Sequence, residues 1–407
     1  MANVPVPITT TAAPAFMSGL QRREDGLLLQ LSSAEIAQIE ALAARLGLNG
    51  LTDDSVGAVI GRPVRIAVLD ASLLARQFWL MLTVLAPSWD LVAALAAEGG
   101  LPAVFWAGPQ RSREPTRLRL GFAGQTLSYA IELGYRVDDQ TSAFALDPEI
   151  KREWIWAGGP FHPRSLLVHR QGAVVERCGG GSMRLAVEVS PQESLFTAVS
   201  DPLEAPEVFR LRRTILSWRF YDGFRTDPEA PARQTRLATR TPSLAADGAD
   251  LAAAIQTIVE IGDRDGLQRA IADAFGGCRL VVDTSQPRFR LTLQQPGLLR
   301  ALDATELSDG TLRYLLLTAA LFSPRVPPLL VLNEPENSLH PDLIAPLARL
   351  IGDVSMRTQV WVIAHNDALI SELDRVAGCR TLRLEREQGA TTIPGQTVLE
   401  RAAWRWP

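Results

Sequence analysis

The sequence predicts an α/β fold built around a mostly parallel sheet. Three short aliphatic runs carry that prediction: Arg65-Ile-Ala-Val-Leu-Asp70, Leu329-Leu-Val-Leu-Asn333 and Gln359-Val-Trp-Val-Ile-Ala364, each succeeded by polar residues. Unbroken apolar runs of this length are how strands buried on both faces read, and the residues past their carboxyl ends enter the crevice where such sheets bind ligands. A second observation adds an antiparallel part. Arg117 to Phe122 and Thr126 to Leu133 alternate apolar and polar residues on either side of Ala-Gly-Gln, with Leu127, Tyr129, Ile131 and Leu133 on one face, the pattern of a hairpin.

Composition limits the function classes. At 407 residues, with 47% hydrophobic and 21% charged, the chain is globular and longer than one typical domain. A net charge of −4 excludes a whole-molecule basic field, so any affinity for nucleic acid has to come from a local face. Cys178, Cys278 and Cys379 show no C-x-x-C spacing and read as reduced thiols of a cytoplasmic protein. The opening Met-Ala-Asn-Val-Pro-Val-Pro is no signal peptide. The apolar run Phe78 to Ala86 stops at Pro87, well short of the ~20 residues a membrane span requires, so no membrane partner is expected.

Residues 1–25 read as a loose tail, and Ser32 with Glu35 makes a capping box for an amphipathic helix through Leu46, so residues 1–60 form an N-terminal tail and helix. The strand at 65–70 runs into a helix from Leu73 to Ala86. Strands are expected at Ser165–His169 and Met183–Val189, with Gly179-Gly-Gly181 as a turn between them. Pro206 to Arg225 reads as helical, ending in the cluster Trp218, Phe220, Tyr221 and Phe224, which at that density fills a domain junction. The Pro-rich, charged stretch 226–248 reads as a linker, marking an inserted β and helical region over 110–245 within a head spanning 61–385; 386–407 is a tail. Helices at Ala249–Ile261 and Asp265–Phe275 and strands near Leu280 and Phe289–Leu293 complete the pass.

Three motifs carry chemistry. Glu334, directly after Leu329–Asn333, stands where a carboxylate can act as general base on the water that attacks a γ-phosphate. Asn333 stands where an Asp often supports magnesium, and its amide is a weak metal ligand. Leu307-Ser-Asp-Gly-Thr311 opens an apolar helix, so backbone N–H groups and the positive helix end make an anion site around Ser308, Asp309 and Gly310; alone, the same tripeptide is an ordinary helix start. His365, ending the strand after Glu334, is placed to reach a γ-phosphate or orient the water.

In this order and spacing the C-terminal third resembles the AAA-like and RecF/SMC-type ATPases of the ABC superclass. In that resemblance Leu307 to Thr311 is the signature loop, Leu329 to Glu334 the Walker B strand, Asn337 to Pro341 the D-loop and His365 the switch histidine. Weaker likeness at Trp106-Ala-Gly-Pro and Asp247-Gly-Ala-Asp-Leu251 extends it over residues 60–385. The resemblance implies a P-loop NTPase-like head, ATP and Mg2+ as cofactors, and Glu334 and His365 as catalytic residues. It also implies a homodimer, or a heterodimer with a related head, with DNA left open as a partner. The chain departs from the family at the phosphate loop. No G-x-x-x-x-G-K-[S/T] occurs and the only lysine is Lys151. By position Asp70-Ala-Ser-Leu-Leu-Ala-Arg-Gln77 fills its place, putting Arg76 at the lysine, Gln77 at the magnesium-binding hydroxyl, and the charge of Asp70 where a polyanion should rest.

Three readings are open: a RecF-like ATPase acting in DNA repair or defence, a pseudo-ATPase kept as a dimerisation or partner-binding module, and a rearranged gene start over residues 1–75. Loss of the phosphate loop favours the second. Retention of Glu334 and His365 keeps the first.

Overall fold

The computed structural model describes residues 54–60, 66–70, 95–96, 99–105, 117–136, 144–159, 161–178, 183–185, 187–383, 385–387 and 390–392. The expected helices at 32–46 and 73–86, the glycine turn at 179–181 and the terminal tails lie outside the described residues or almost wholly so. The chain divides into two compact units, one of Met1–Val64, Ala71–Ser217 and Leu382–Pro407, the other of Arg65–Asp70 with Trp218–Thr381. That division falls inside the 110–245 stretch, at Ser217/Trp218.

The first unit holds a seven-stranded sheet. Its strands are β1 (Asp54–Ile60), β3 (Leu118–Gly124), β4 (Leu127–Tyr135), β5 (Pro148–Ala157), β6 (Leu166–Gln171), β7 (Val174–Arg177) and β8 (Met183–Arg184), in that spatial order; β2 (Ile66–Asp70) belongs to the other unit. β1 runs parallel to β3, and from β3 to β8 neighbours are antiparallel. The expected hairpin is present, with Phe122 opposite Tyr129. Its two-faced pattern is not: Ser128, Ala130 and Glu132 are as buried as Tyr129, Ile131 and Leu133, so both faces of β4 are covered. The strand expected at 183–189 is only two residues long.

At the centre of this sheet Glu153 and Arg170 are both fully buried and paired at 2.7 Å. Burying two charges is tolerable only when every remaining donor and acceptor is used. Here Tyr129 and Ser194 each donate to Glu153 Oε1 at 2.6 Å, the Leu195 N–H donates to the same carboxylate, and Arg170 also donates to the Ser190 and Gly172 carbonyls.

The second unit is organised by a five-stranded sheet in the order β16-β2-β15-β14-β9: Cys379–Arg383, Ile66–Asp70, Gln359–Ile363, Leu329–Asn333 and Arg219–Tyr221. β2, β15, β14 and β9 are mutually parallel, as the three aliphatic runs predicted. Residues 329–332 and 359–363 are buried without exception. A fully buried aliphatic side chain is worth about 1.5–3 kcal/mol against exposure, so these strands belong to the core. The aromatic cluster, expected to close a helix, instead straddles β9: the helix stops at Ser217, and Phe220 and Tyr221 pair with Val331 and Leu332 of β14.

Beside this sheet stands an antiparallel one of β10 (Arg236–Leu237), β11 (Arg279–Asp283), β12 (Arg288–Gln294) and β13 (Leu302–Asp303). The helix that matters for the site is α6 (Asp309–Leu321), sixth along the described chain. Every residue of α6 from Leu312 to Leu321 is buried, so it is a central helix, apolar nearly all round. The stretch 226–248 is not a free linker. Arg233 within it is buried and anchored to residues 304–309.

Candidate active site

β9, β14 and β15 end level with one another, Tyr221 opposite Leu332 and Asn333 opposite Ile363. Asp222, Asn333, Glu334 and His365 therefore leave the sheet along one carboxyl edge.

Glu334 turns out of its strand at φ 43°, the left-handed region that costs a side-chain-bearing residue roughly 1–3 kcal/mol. Three bonds impose it. The Glu334 N–H donates to Ile363 O at 2.8 Å, and its carbonyl accepts from the Asn337 N–H at 3.0 Å and from the Arg313 guanidinium at 2.9 Å. The turn brings Oε1 to 3.1 Å from His365 Nε2, and because an ionised carboxylate can only accept, the ring tautomer that fits carries its proton on Nε2. The side chains of His365 and Glu334 are 36% and 38% exposed, so a water or a phosphate can reach both.

Neighbours fix the rest. Glu336 is buried, and its Oε1 accepts from the backbone N–H of His365 at 2.8 Å and of Asn366 at 3.1 Å, which sets where His365 stands; its Oε2 has no partner. Arg313, also buried, keeps its Nε unpaired. Burial pulls the Arg313 pKa below its ordinary value, while the carboxylates of Glu336, Glu334 and Asp222 pull it back up.

Asn333 donates through Nδ2 to Asp222 Oδ1 at 2.6 Å, and its Oδ1 is buried without a partner. Asp222 and Asn333 Oδ1 are the oxygen donors that fit a hard cation at this edge. Among the described residues no three acidic, histidine or cysteine side chains converge on a metal position, so these donors fit only an ion shared with phosphate oxygens and water.

Ser308 caps α6. Its Oγ accepts from the Thr311 N–H at 3.2 Å and lies 2.8 Å from Thr311 Oγ1. Asp309 is paired with Arg233 at 2.8 Å. Gly310 is required by the chain's own 337–341 loop: a Cβ there would lie 2.6 Å from the Ser338 carbonyl, whose own residue sits at φ 61°.

The structure thus gathers Asn333, Glu334 and His365 at one edge, with Ser308, Asp309 and Gly310 at the start of the helix that sends Arg313 there. Asp70 ends β2, next to β15, so its backbone arrives beside the strand that carries His365. Arg76 and Gln77 lie outside the described residues. Sequence reasoning missed Asp222, Arg233, Arg313 and Glu336. Asp222 had a signal, because Phe-Tyr before Asp-Gly reads as a strand end; the three others are recognisable only by their burial.

Residues 189–371 match the family model described as an AAA domain, putative AbiEii toxin, Type IV TA system. No curated protein matches the chain in sequence. Among solved structures, the SMC head bound to the C-winged helix domain of ScpA is 12% identical, with 82% of this chain and 91% of that chain covered and a TM-score of 0.40. The SMC head domain from Thermotoga maritima is 12% identical over 82% and 90%, with a TM-score of 0.37. The Pyrococcus furiosus Smc head bound to the C-terminal domain of ScpA is 11% identical over 82% and 90%, with a TM-score of 0.41. At these scores it is strand order and site geometry that define the fold, not the overlay. No described helix is long and apolar enough to cross a membrane.

Proposed function

We propose that the AAA-type ATPase domain carried by residues 189–371 binds ATP with Mg2+ and hydrolyses it slowly, with Glu334 as general base and His365 as the residue that orients the attacking water toward the γ-phosphate. The observation that supports this reading most is the Glu334–His365 contact, 3.1 Å across adjacent parallel strands, on a backbone held in a strained turn. Strain kept in place by three independent bonds belongs to sites that need a side chain aimed, not merely buried.

Each group has its task. Glu334 accepts a proton from water, His365 donates a hydrogen bond through Nε2, and Glu336 holds the His365 backbone. Mg2+ supplies charge neutralisation between phosphates, with Asn333 Oδ1 and Asp222 as the oxygens that would face it. Asp70, Arg76 and Gln77 stand in for the phosphate loop, and the Ser308–Gly310 loop serves a nucleotide held by a second head. The working form is then a homodimer or a heterodimer with a related head, a soluble cytoplasmic assembly acting in DNA repair or defence. Its ATPase head spans 61–385, and within 110–245 the part before Trp218 encodes its specific role, because Asp222 and Arg233 serve the site itself.

A second reading rests on one feature. With no glycine and no lysine between Asp70 and Gln77, the chain is a pseudo-ATPase that dimerises or completes a partner's site. Thermal melting with and without Mg-ATP separates the two. Binding at 100 times Kd adds about 2.7 kcal/mol of stability and a clear rise in Tm, whereas an unchanged Tm at millimolar nucleotide eliminates the enzyme and leaves the module.

A further inference from the structure

Polar contacts form a closed circuit around the Glu334 edge. Asn333 holds Asp222 at 2.6 Å. Four residues on, the carbonyl of Thr226 accepts from Arg233 Nε at 2.9 Å and from its NH2 group at 2.8 Å. Arg233 also donates to the carbonyls of Ala304 and Leu307, each at 2.8 Å, and to Asp309 Oδ1 at 2.8 Å, so all five of its N–H groups are used. One helical turn beyond Asp309, Arg313 donates to the carbonyl of Glu334, the residue next to Asn333.

We infer that Arg233 and Arg313 are positioning residues that make the 307–311 loop and the Glu334 turn one mechanical unit, so that whatever docks on the loop sets the aim of the carboxylate. The inference rests on the proposed hydrolytic role of Glu334. Buried guanidinium groups suit this task, because each charge-assisted bond to a carbonyl is directional and roughly twice as strong as a neutral one. The circuit also explains why a stretch with linker composition packs tightly: Arg233 draws the segment after Asp222 onto the loop that opens α6. Arg313 is the side chain that holds the carbonyl of the strained residue Glu334 itself.

Hydrogen exchange on the full chain, without nucleotide, tests the coupling. The Glu334 N–H, bonded to Ile363 O, and the Asn337 N–H, bonded to Glu334 O, are direct reporters of the turn. Arg313→Met is expected to speed exchange at both about tenfold, and Arg233→Met, acting through the loop that opens α6, to do the same. The double variant is expected to match Arg313→Met alone, because the two residues act in series; a purely local structural role would give multiplied effects. Asp309→Ala, which removes an exposed carboxylate and only one bond of Arg233, gives the same readout should a methionine variant fail to fold. The proposal is overturned by faster exchange confined to residues 304–311, or by multiplicative effects at Glu334 and Asn337. Because no ATP is present, a failed coupling is read separately from a failed ATPase.

Discussion

Glu334 and His365, 31 residues apart in the chain, face each other at 3.1 Å from the ends of two neighbouring parallel strands. Glu334→Gln keeps the shape of the turn and removes the base. ATP turnover by the purified chain is expected to fall 10²–10⁴-fold. An unchanged residual rate in the variant would show that the activity belongs to a contaminant.

Asn333 lies against Asp222 through its amide N–H. Asn333→Asp sets two carboxylates together, so the free protein is expected to melt at a lower temperature and millimolar Mg2+ to restore much of the loss. Melting curves with and without the cation check this; a variant indifferent to Mg2+ would remove Asp222 from the proposed cation site.

Gly310→Ala puts a methyl group 2.6 Å from the Ser338 carbonyl, whereas at Gly223 the same change meets nothing within 4 Å. The first is expected to lower unfolding stability by about 1–3 kcal/mol and the second to be near neutral. Urea denaturation of both variants measures the difference.

In the first unit, Glu153→Leu leaves Arg170 buried without its carboxylate. The expected loss is about 3–5 kcal/mol, and adding Arg170→Met is expected to recover part of it because no unpaired charge then remains. The urea midpoints of the single and double variants give the answer.

Burial pushes the phenols of Tyr129, Tyr221 and Tyr314 above their ordinary pKa, with Glu153 adding to the rise at Tyr129. A pKa raised by folding means that above pH 10 the unfolded chain releases protons that the folded chain keeps. The stability these groups contribute is complete below pH 10 and falls as pH rises beyond it. Ultraviolet titration at pH 11 is expected to leave these three tyrosines protonated until the protein unfolds. Burial likewise pushes the Cys379 thiol up to about 12, so alkylation at pH 8 should spare it in the folded chain.

What the amino-acid order determined by itself was local or short-period: the aliphatic runs of β2, β14 and β15, the existence of the β3–β4 hairpin though not which of its faces is buried, the Ser308 cap, and the polar residues placed just past strand ends. Those signals survive folding because a buried strand must be apolar and a residue after it must leave the sheet. Tertiary structure alone decided the rest. Arg219 to Tyr221 follows a helix and carries aromatic weight, and only the free edge of β14 makes it a strand and delivers Asp222 to Asn333. Arg233 and Arg313 look like any surface arginine in a sequence. Their meaning comes from burial, which leaves a guanidinium no water and obliges it to find carbonyls such as those of Leu307 and Glu334, far along the chain.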